Sequence, residues 1–153
     1  LTCVSPTGSI SIIAGVSSSL EPNFALCYQT KVLGSEMMKV NKVLEKKLKE
    51  EKMHSQVLIA EIAKQGIKNV EVPRKIKKVF VTTNEISADY HIKMQAAFQK
   101  FVDGAVSKTI NFPSDCSVAD VKEAYLKAWE MGCKGLTIYR DSSLDHQVIE
   151  KLS

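Results

Sequence analysis

Lys108-Thr109-Ile110-Asn111-Phe112-Pro113, Ser117-Val118-Ala119-Asp120 and Gly132-Cys133-Lys134-Gly135-Leu136-Thr137-Ile138-Tyr139 together decide the fold class. Residues 108–112 alternate as a short strand does, and Pro113 stops the run because it has no amide to donate. Ser117 with Asp120 three residues on has the spacing of a capping box, so a helix is predicted to start there. Its buried face is predicted to hold Val118, Val121, Tyr125, Ala128 and Trp129. Gly132 stands where a left-handed residue would end it. Residues 136–139 are expected to be a buried strand. Strand, helix, strand over some thirty residues is the unit of an α/β fold.

Working back from there, Tyr90, Met94, Ala97, Phe98, Phe101, Val102 and Ala105 recur at helical spacing. They predict a helix that buries this stripe and shows Lys93, Gln95, Gln99, Lys100 and Asp103 to water. Residues 57–66 also read as a helix. Helical patterning is expected from about Ser35, with Val40, Val43, Leu44 and Leu48 on the apolar side. Near the start, residues 1–4 read as the end of a buried strand, residues 5–11 as a tight turn, and residues 12–15 as the first turns of a helix. Glu21-Pro22 marks a turn, since proline pushes the residue before it out of helical angles. The reading is helix-rich α/β, with too few strands to close a barrel alone.

The chain has 153 residues, 44% hydrophobic and 25% charged, so it has enough apolar material to fold. Length alone allows one domain. Yet the chain begins at Leu1, without Met, inside an apolar stretch, which predicts a segment of something longer. No apolar run approaches the length of a membrane span. The net charge of +4 is concentrated: residues 31–78 hold 13 Lys/Arg against 6 Asp/Glu. With Arg74 the only arginine and no aromatic ring before Phe80 in the later part of that block, it reads as a lysine-coated helical face rather than a nucleic-acid stripe. Cys3, Cys27, Cys116 and Cys133 form no CxxC pair, and His54, His91 and His146 are scattered. Neither set has zinc-site spacing, and free thiols in a reducing, cytoplasmic setting are expected. Each cysteine, Cys3 included, is expected to be a small buried hydrophobe.

One segment carries chemistry: Pro6-Thr7-Gly8-Ser9-Ile10-Ser11, three hydroxyls around a glycine where strand gives way to helix. Free amides and the positive dipole end at a helix start hold phosphate, hydroxyls add bonds, and glycine allows close approach. The segment has neither a GKS/GKT ending nor GxGxxG, so it is no Walker loop and no dinucleotide fingerprint. A plain Ser/Thr cap, needing no ligand, is the competing reading on pattern alone.

Thr7-Gly8-Ser9-Ile10-Ser11, Gly15-Val16-Ser17-Ser18 and Glu21-Pro22-Asn23-Phe24-Ala25 resemble the C-terminal barrel region of ribonucleotide reductases, and of the adenosylcobalamin-dependent branch most closely. The resemblance continues through Val79-Phe80, Glu85-Ile86, His91-Ile92-Lys93-Met94-Gln95-Ala96-Ala97-Phe98-Gln99, Ser107-Lys108-Thr109-Ile110-Asn111 and residues 132–141. It implies that residues 1–153 are the C-terminal part of a ten-stranded α/β barrel, with 35–78 an insert-like Lys-rich stretch. It implies reduction of ribonucleotides to 2′-deoxyribonucleotides by thiyl-radical chemistry. Thr7, Gly8, Ser9, Ile10 and Ser11 would bind substrate phosphates, Ile10 through backbone only. The implied cofactor is adenosylcobalamin. The implied partners are a ribonucleoside di- or triphosphate, the remainder of the reductase chain and a thiol reductant. The family's Asn-x-Cys-x-Glu loop is absent, so no catalytic residue is assigned. The isolated chain is expected to expose apolar edges and to lack reductase activity. The alternative is a non-catalytic helical domain, from a split or decayed gene, that binds nucleotides or a partner.

Overall fold

The computed structural model describes residues 1–32 and 35–143; for 29–32 and 35–37 it describes the backbone alone. The chain falls into two compact units, one of Leu1–Pro22 with the described residues from Thr83 onward, the other of Asn23–Thr82.

The unit of Asn23–Thr82 opens with an antiparallel hairpin of β1 (Cys27–Val32) and β2 (Ser35–Val40), Cys27 opposite Val40. The helix expected from Ser35 therefore starts later, as α2 (Lys42–Glu50). Asn41 decides the boundary: its side-chain oxygen accepts from the amides of Val43 and Leu44, which ends the extended run and satisfies two free donors. α3 (Gln56–Gln65) is capped by Ser55, and α4 (Arg74–Val79) follows Pro73. Leu44, Leu48, Ile59, Ile62, Ile67 and Ile76 form the core of this unit. The lysines of α2 lie along its outside and pair with neighbouring carboxylates, Lys49 with Glu45 and Lys47 with Glu50. Such exposed pairs contribute about 0.2–1 kcal/mol each.

In the other unit α1 (Gly8–Ala14) is followed, after Thr83, by α5 (Ala88–Gln99), β3 (Thr109–Phe112), α6 (Val118–Glu130) and β4 (Thr137–Arg140). β3 and β4 are parallel neighbours, Ile110 beside Ile138, with α6 as the crossover. The expected capping box is present: Ser117 accepts from the Asp120 amide while the Asp120 carboxylate accepts from the Ser117 amide. Gly132, at φ 77°, is the left-handed residue just past the helix. Ile92, Ile110, Phe112, Ala124 and Ala128 make the core.

Four expectations fail here. α5 stops at Gln99 and presents the opposite face. It buries His91, Ile92, Gln95, Ala96 and Gln99, while Tyr90, Met94, Phe98 and Phe101 are exposed. The cause is backbone hydrogen bonding. The loops entering the strands bring in carbonyls that need donors: Gln95 Nε2 donates to those of Val106 and Gly135, and Gln99 Nε2 to that of Gly104. On α6 only Ala124 and Ala128 are buried, and Val118, Tyr125 and Trp129 are exposed, since small residues let the helix sit close to the strands. β4 is half-buried rather than buried, having only β3 beside it. Leu1 and Cys3 are exposed, because the opening residues join no strand and lie along residues 103–107 instead, with Val4 bridged to Val106.

Among the described residues the strands form two two-stranded sheets and no closed barrel. No helix among them is long and apolar enough to cross a membrane. Residues 144–153, read in the sequence as polar and weakly patterned, lie outside the described residues, as does His146.

Candidate functional site

The five residues singled out in the sequence fall together at the start of α1. Thr7 is the N-cap residue, at φ 52° and ψ 26°. A β-branched residue in the left-handed region is costly, by about 1–2 kcal/mol. Its side chain makes no capping bond. The first amide of α1 to reach a backbone acceptor is that of Ser11, which donates to the Thr7 carbonyl at 2.9 Å. The amides of Gly8, Ser9 and Ile10 precede it and have no carbonyl of the helix within reach. Among the described residues three donors are thus left open at a helix start where a serine- and threonine-rich sequence would ordinarily close them.

The hydroxyls divide. Ser9 is exposed. Ser11 is buried and its Oγ donates to the Gly8 carbonyl at 2.7 Å, so it braces the loop from inside. Ile10 is exposed and offers its backbone only. A Cβ added at Gly8 would meet nothing within 4 Å, so the approach to these amides is open.

One cleft of this unit, of about 490 Å³, is lined by Cys3, Ser5, Pro6, Ser107, Lys108 and Thr137 among others, so it reaches the residue before Thr7. The second, of about 440 Å³, has Asp89, Asp115, Asp120 and Glu123 in its wall with Lys127 the only cation. Carboxylates at that density repel a phosphate.

A polar cluster that sequence reading did not find is buried between α5 and β3. Lys108 is 2% exposed. Its Nζ donates to Glu21 Oε2 at 2.6 Å and to the Thr109 carbonyl at 2.5 Å, while Glu21 Oε1 accepts from the Thr109 amide at 2.6 Å. Burial pushes the Lys108 ammonium below its ordinary pKa, and the Glu21 carboxylate pulls the other way. His91 is also buried, its Nε2 3.1 Å from the Thr83 carbonyl. Burial, then the charge of Lys108, lower its pKa, so the imidazole stays neutral below the usual histidine range. Thr83 Oγ1 in turn donates to Asn111 Oδ1 at 3.0 Å. The signal for α5 was its i, i+4 row of His91, Gln95 and Gln99, which also fits a solvated face. No local pattern links Glu21 to Lys108.

Of the cysteines only Cys27 is buried, and burial raises its pKa to about 11. Cys116 and Cys133 are half-buried, and Cys3 is exposed, its Sγ 3.9 Å from Ser5 Oγ. The expectation of uniformly buried thiols therefore fails. Tyr139 is half-buried on β4, beside Asn111 of β3.

This arrangement coincides with a known family over almost its whole length. Residues 1–139 match the model of the ribonucleotide reductase barrel domain. The chain belongs to that family. It is 46% identical over 150 residues to a vitamin B12-dependent ribonucleoside-diphosphate reductase of Thermoplasma acidophilum, an alignment covering 97% of this chain and 20% of that protein. It is 38% identical over 151 residues to the enzyme of the same description from Mycobacterium tuberculosis, covering 97% of this chain and 22% of that protein. Among solved structures, the class Id ribonucleotide reductase alpha subunit of Actinobacillus ureae superposes with a TM-score of 0.73 at 27% identity, covering 90% of this chain and 25% of that one. The reductase segment therefore spans about a fifth of the length of the curated relatives it matches.

Proposed function

We propose that this chain is the late, C-terminal part of the catalytic barrel of a ribonucleotide reductase, an enzyme that converts ribonucleotides to 2′-deoxyribonucleotides by thiyl-radical chemistry. In this reading the segment supplies the loop that binds the substrate's phosphates. The observation that carries it is the open start of α1: three unpaired amides behind an uncapping Thr7, in a chain of this family. Gly8, Ser9 and Ile10 offer backbone donors, Ser9 adds a hydroxyl, and Ser11 holds the turn in shape. A phosphate's charge suits all of these. The match of residues 1–139 to a reductase barrel domain weighs against a free-standing binding module.

No residue described here is given a catalytic role. No cysteine of the chain has the glutamate two positions on that the family's radical loop carries. The thiyl cysteine, the reducing thiols and the site for a thiol reductant belong, in this reading, to the remainder of the reductase. The relatives' names make adenosylcobalamin the proposed cofactor of the complete enzyme, where it would start the radical chemistry when bound. Among the described residues His91 is buried with its Nε2 on the Thr83 carbonyl, so it does not present its imidazole to the cofactor.

The test is Ser9→Ala combined with Ser11→Ala in the complete reductase. A lost hydrogen bond to a charged group costs about 1.5–3 kcal/mol, so KM for the ribonucleoside di- or triphosphate should rise by about tenfold or more. Ser9→Ala alone should account for the direct part, since Ser11 Oγ is already committed to Gly8. An unchanged KM in the double variant rejects the loop.

A further inference from the structure

We propose that Glu21, locked by Lys108 and the Thr109 amide, is a positioning residue that fixes the Thr7–Ser11 loop for substrate. The inference rests on the phosphate-loop reading above.

The loop has almost nothing else to hold it. Of α1 only Ser11 is buried, and Ile10, Ile12, Ile13 and Val16 are all exposed, so side-chain packing within the described residues does not set its place. Its position is set by its ends, and both are tied to the same five residues. Upstream, the Val4 amide donates to the Ala105 carbonyl at 3.2 Å and the Val4 carbonyl accepts from the Ser107 amide at 2.9 Å. Downstream, the Glu21 carboxylate takes the Lys108 ammonium and the Thr109 amide, both at 2.6 Å. Ser18 Oγ closes the excursion by donating to the Pro6 carbonyl at 2.7 Å, and the Glu21 amide donates to the Ser18 carbonyl at 2.9 Å.

Glu21 is thus the downstream hinge-pin of a loop clamped at both ends to the entry of β3. The upstream clamp is backbone to backbone and survives any side-chain change. Downstream, both ties to the entry of β3 are made by the Glu21 side chain, and the backbone is next held two residues on, at the Asn23–Thr82 bridge. A carboxylate accepting from a buried ammonium and an amide with separate oxygens has one geometry, which is what a loop held only at its ends requires. Released at Glu21, α1 keeps its sequence and its open amides but loses its fixed place. Loss of that kind weakens ground state and transition state alike, raising KM with little change in kcat.

The experiment compares Ser9→Ala, Gly8→Ala, Glu21→Gln and Glu21→Asp in the complete reductase, by steady-state kinetics and by amide hydrogen exchange. Glu21→Gln should raise KM by about tenfold with kcat within about twofold. Exchange should quicken at residues 8–16 well beyond any change in α6. Glu21→Asp, which keeps the charge on a shorter arm, should fall between Gln and the parent. It also decides the matter if Glu21→Gln does not fold. If Ser9→Ala raises KM and neither Glu21 variant does, the positioning role is overturned and the phosphate loop stands. If exchange quickens equally in α6, Glu21 is a general structural support and the positioning role is again overturned. If Ser9→Ala and Gly8→Ala both leave KM unchanged, the phosphate-loop reading falls and takes this inference with it.

Discussion

Gly8→Ala in the complete reductase is expected to raise KM for the ribonucleotide by about ten- to a hundredfold while leaving thermal stability unchanged or slightly improved. The two halves come from separate observations. Gly8 is not among the glycines at positive φ, and a Cβ there would meet no protein atom within 4 Å. Alanine at a helix start of this kind carries no strain, and it restricts the unfolded chain more than glycine does, which favours the folded state by about 0.4–1 kcal/mol. Nothing within the described residues requires Gly8 to be glycine. In the phosphate-loop reading the requirement comes from the ligand, because a side chain at the head of α1 crowds a phosphate drawn to the amides of Gly8, Ser9 and Ile10. Lost or lengthened charge-assisted bonds then appear as weaker substrate binding. Steady-state kinetics with a thermal melt checks both halves. A normal KM with a normal melting temperature would leave the glycine without a ligand to explain it.

The second large effect is on stability, and it is asymmetric. Glu21→Leu should destabilise the fold by about 3–5 kcal/mol, because it leaves a buried ammonium without its counter-ion. Lys108→Met should cost clearly less. The side chain of Lys108 is 1% exposed and that of Glu21 is 25% exposed. A stranded Glu21 can still reach water and keeps the Thr109 amide, whereas a stranded Lys108 keeps only one carbonyl. Lys108→Met added to Glu21→Leu should therefore recover a large part of the loss, since it removes the stranded charge. Denaturant unfolding, with amide exchange at Thr109–Phe112 as the local readout, separates the three variants. Equal losses for the two single changes, or no recovery in the double, would show that the pair is not bound by this desolvation logic.

What was legible in the sequence was local. Ser117 and Asp120 specify a helix start between them within four residues, Gly132 marks the helix end, and residues 109–112 are a strand in any context. The loop at 7–11 was visible for the same reason. What was not legible depends on partners far along the chain. Ser35–Val40 is a strand only because Cys27–Val32 lies beside it. Hydropathy assigned the wrong face of α5. The carbonyls of Val106, Gly104 and Gly135 recruit Gln95 and Gln99 inward, and side-chain polarity alone does not report where backbone acceptors will lie. Nothing near Lys108 in the sequence marks it as a buried charge. Only its contact with a glutamate 87 residues earlier makes it a buried one.

The central claim is that the open start of α1 receives the phosphates of a ribonucleotide. The most direct measurement is a structure of the complete reductase with its ribonucleotide substrate bound. The expected result places phosphate oxygens about 2.7–3.1 Å from the amide nitrogens of Gly8, Ser9 and Ile10, with Ser9 Oγ donating to the same group. Phosphates bound elsewhere, with those three amides facing water or closed by another part of the chain, would contradict it.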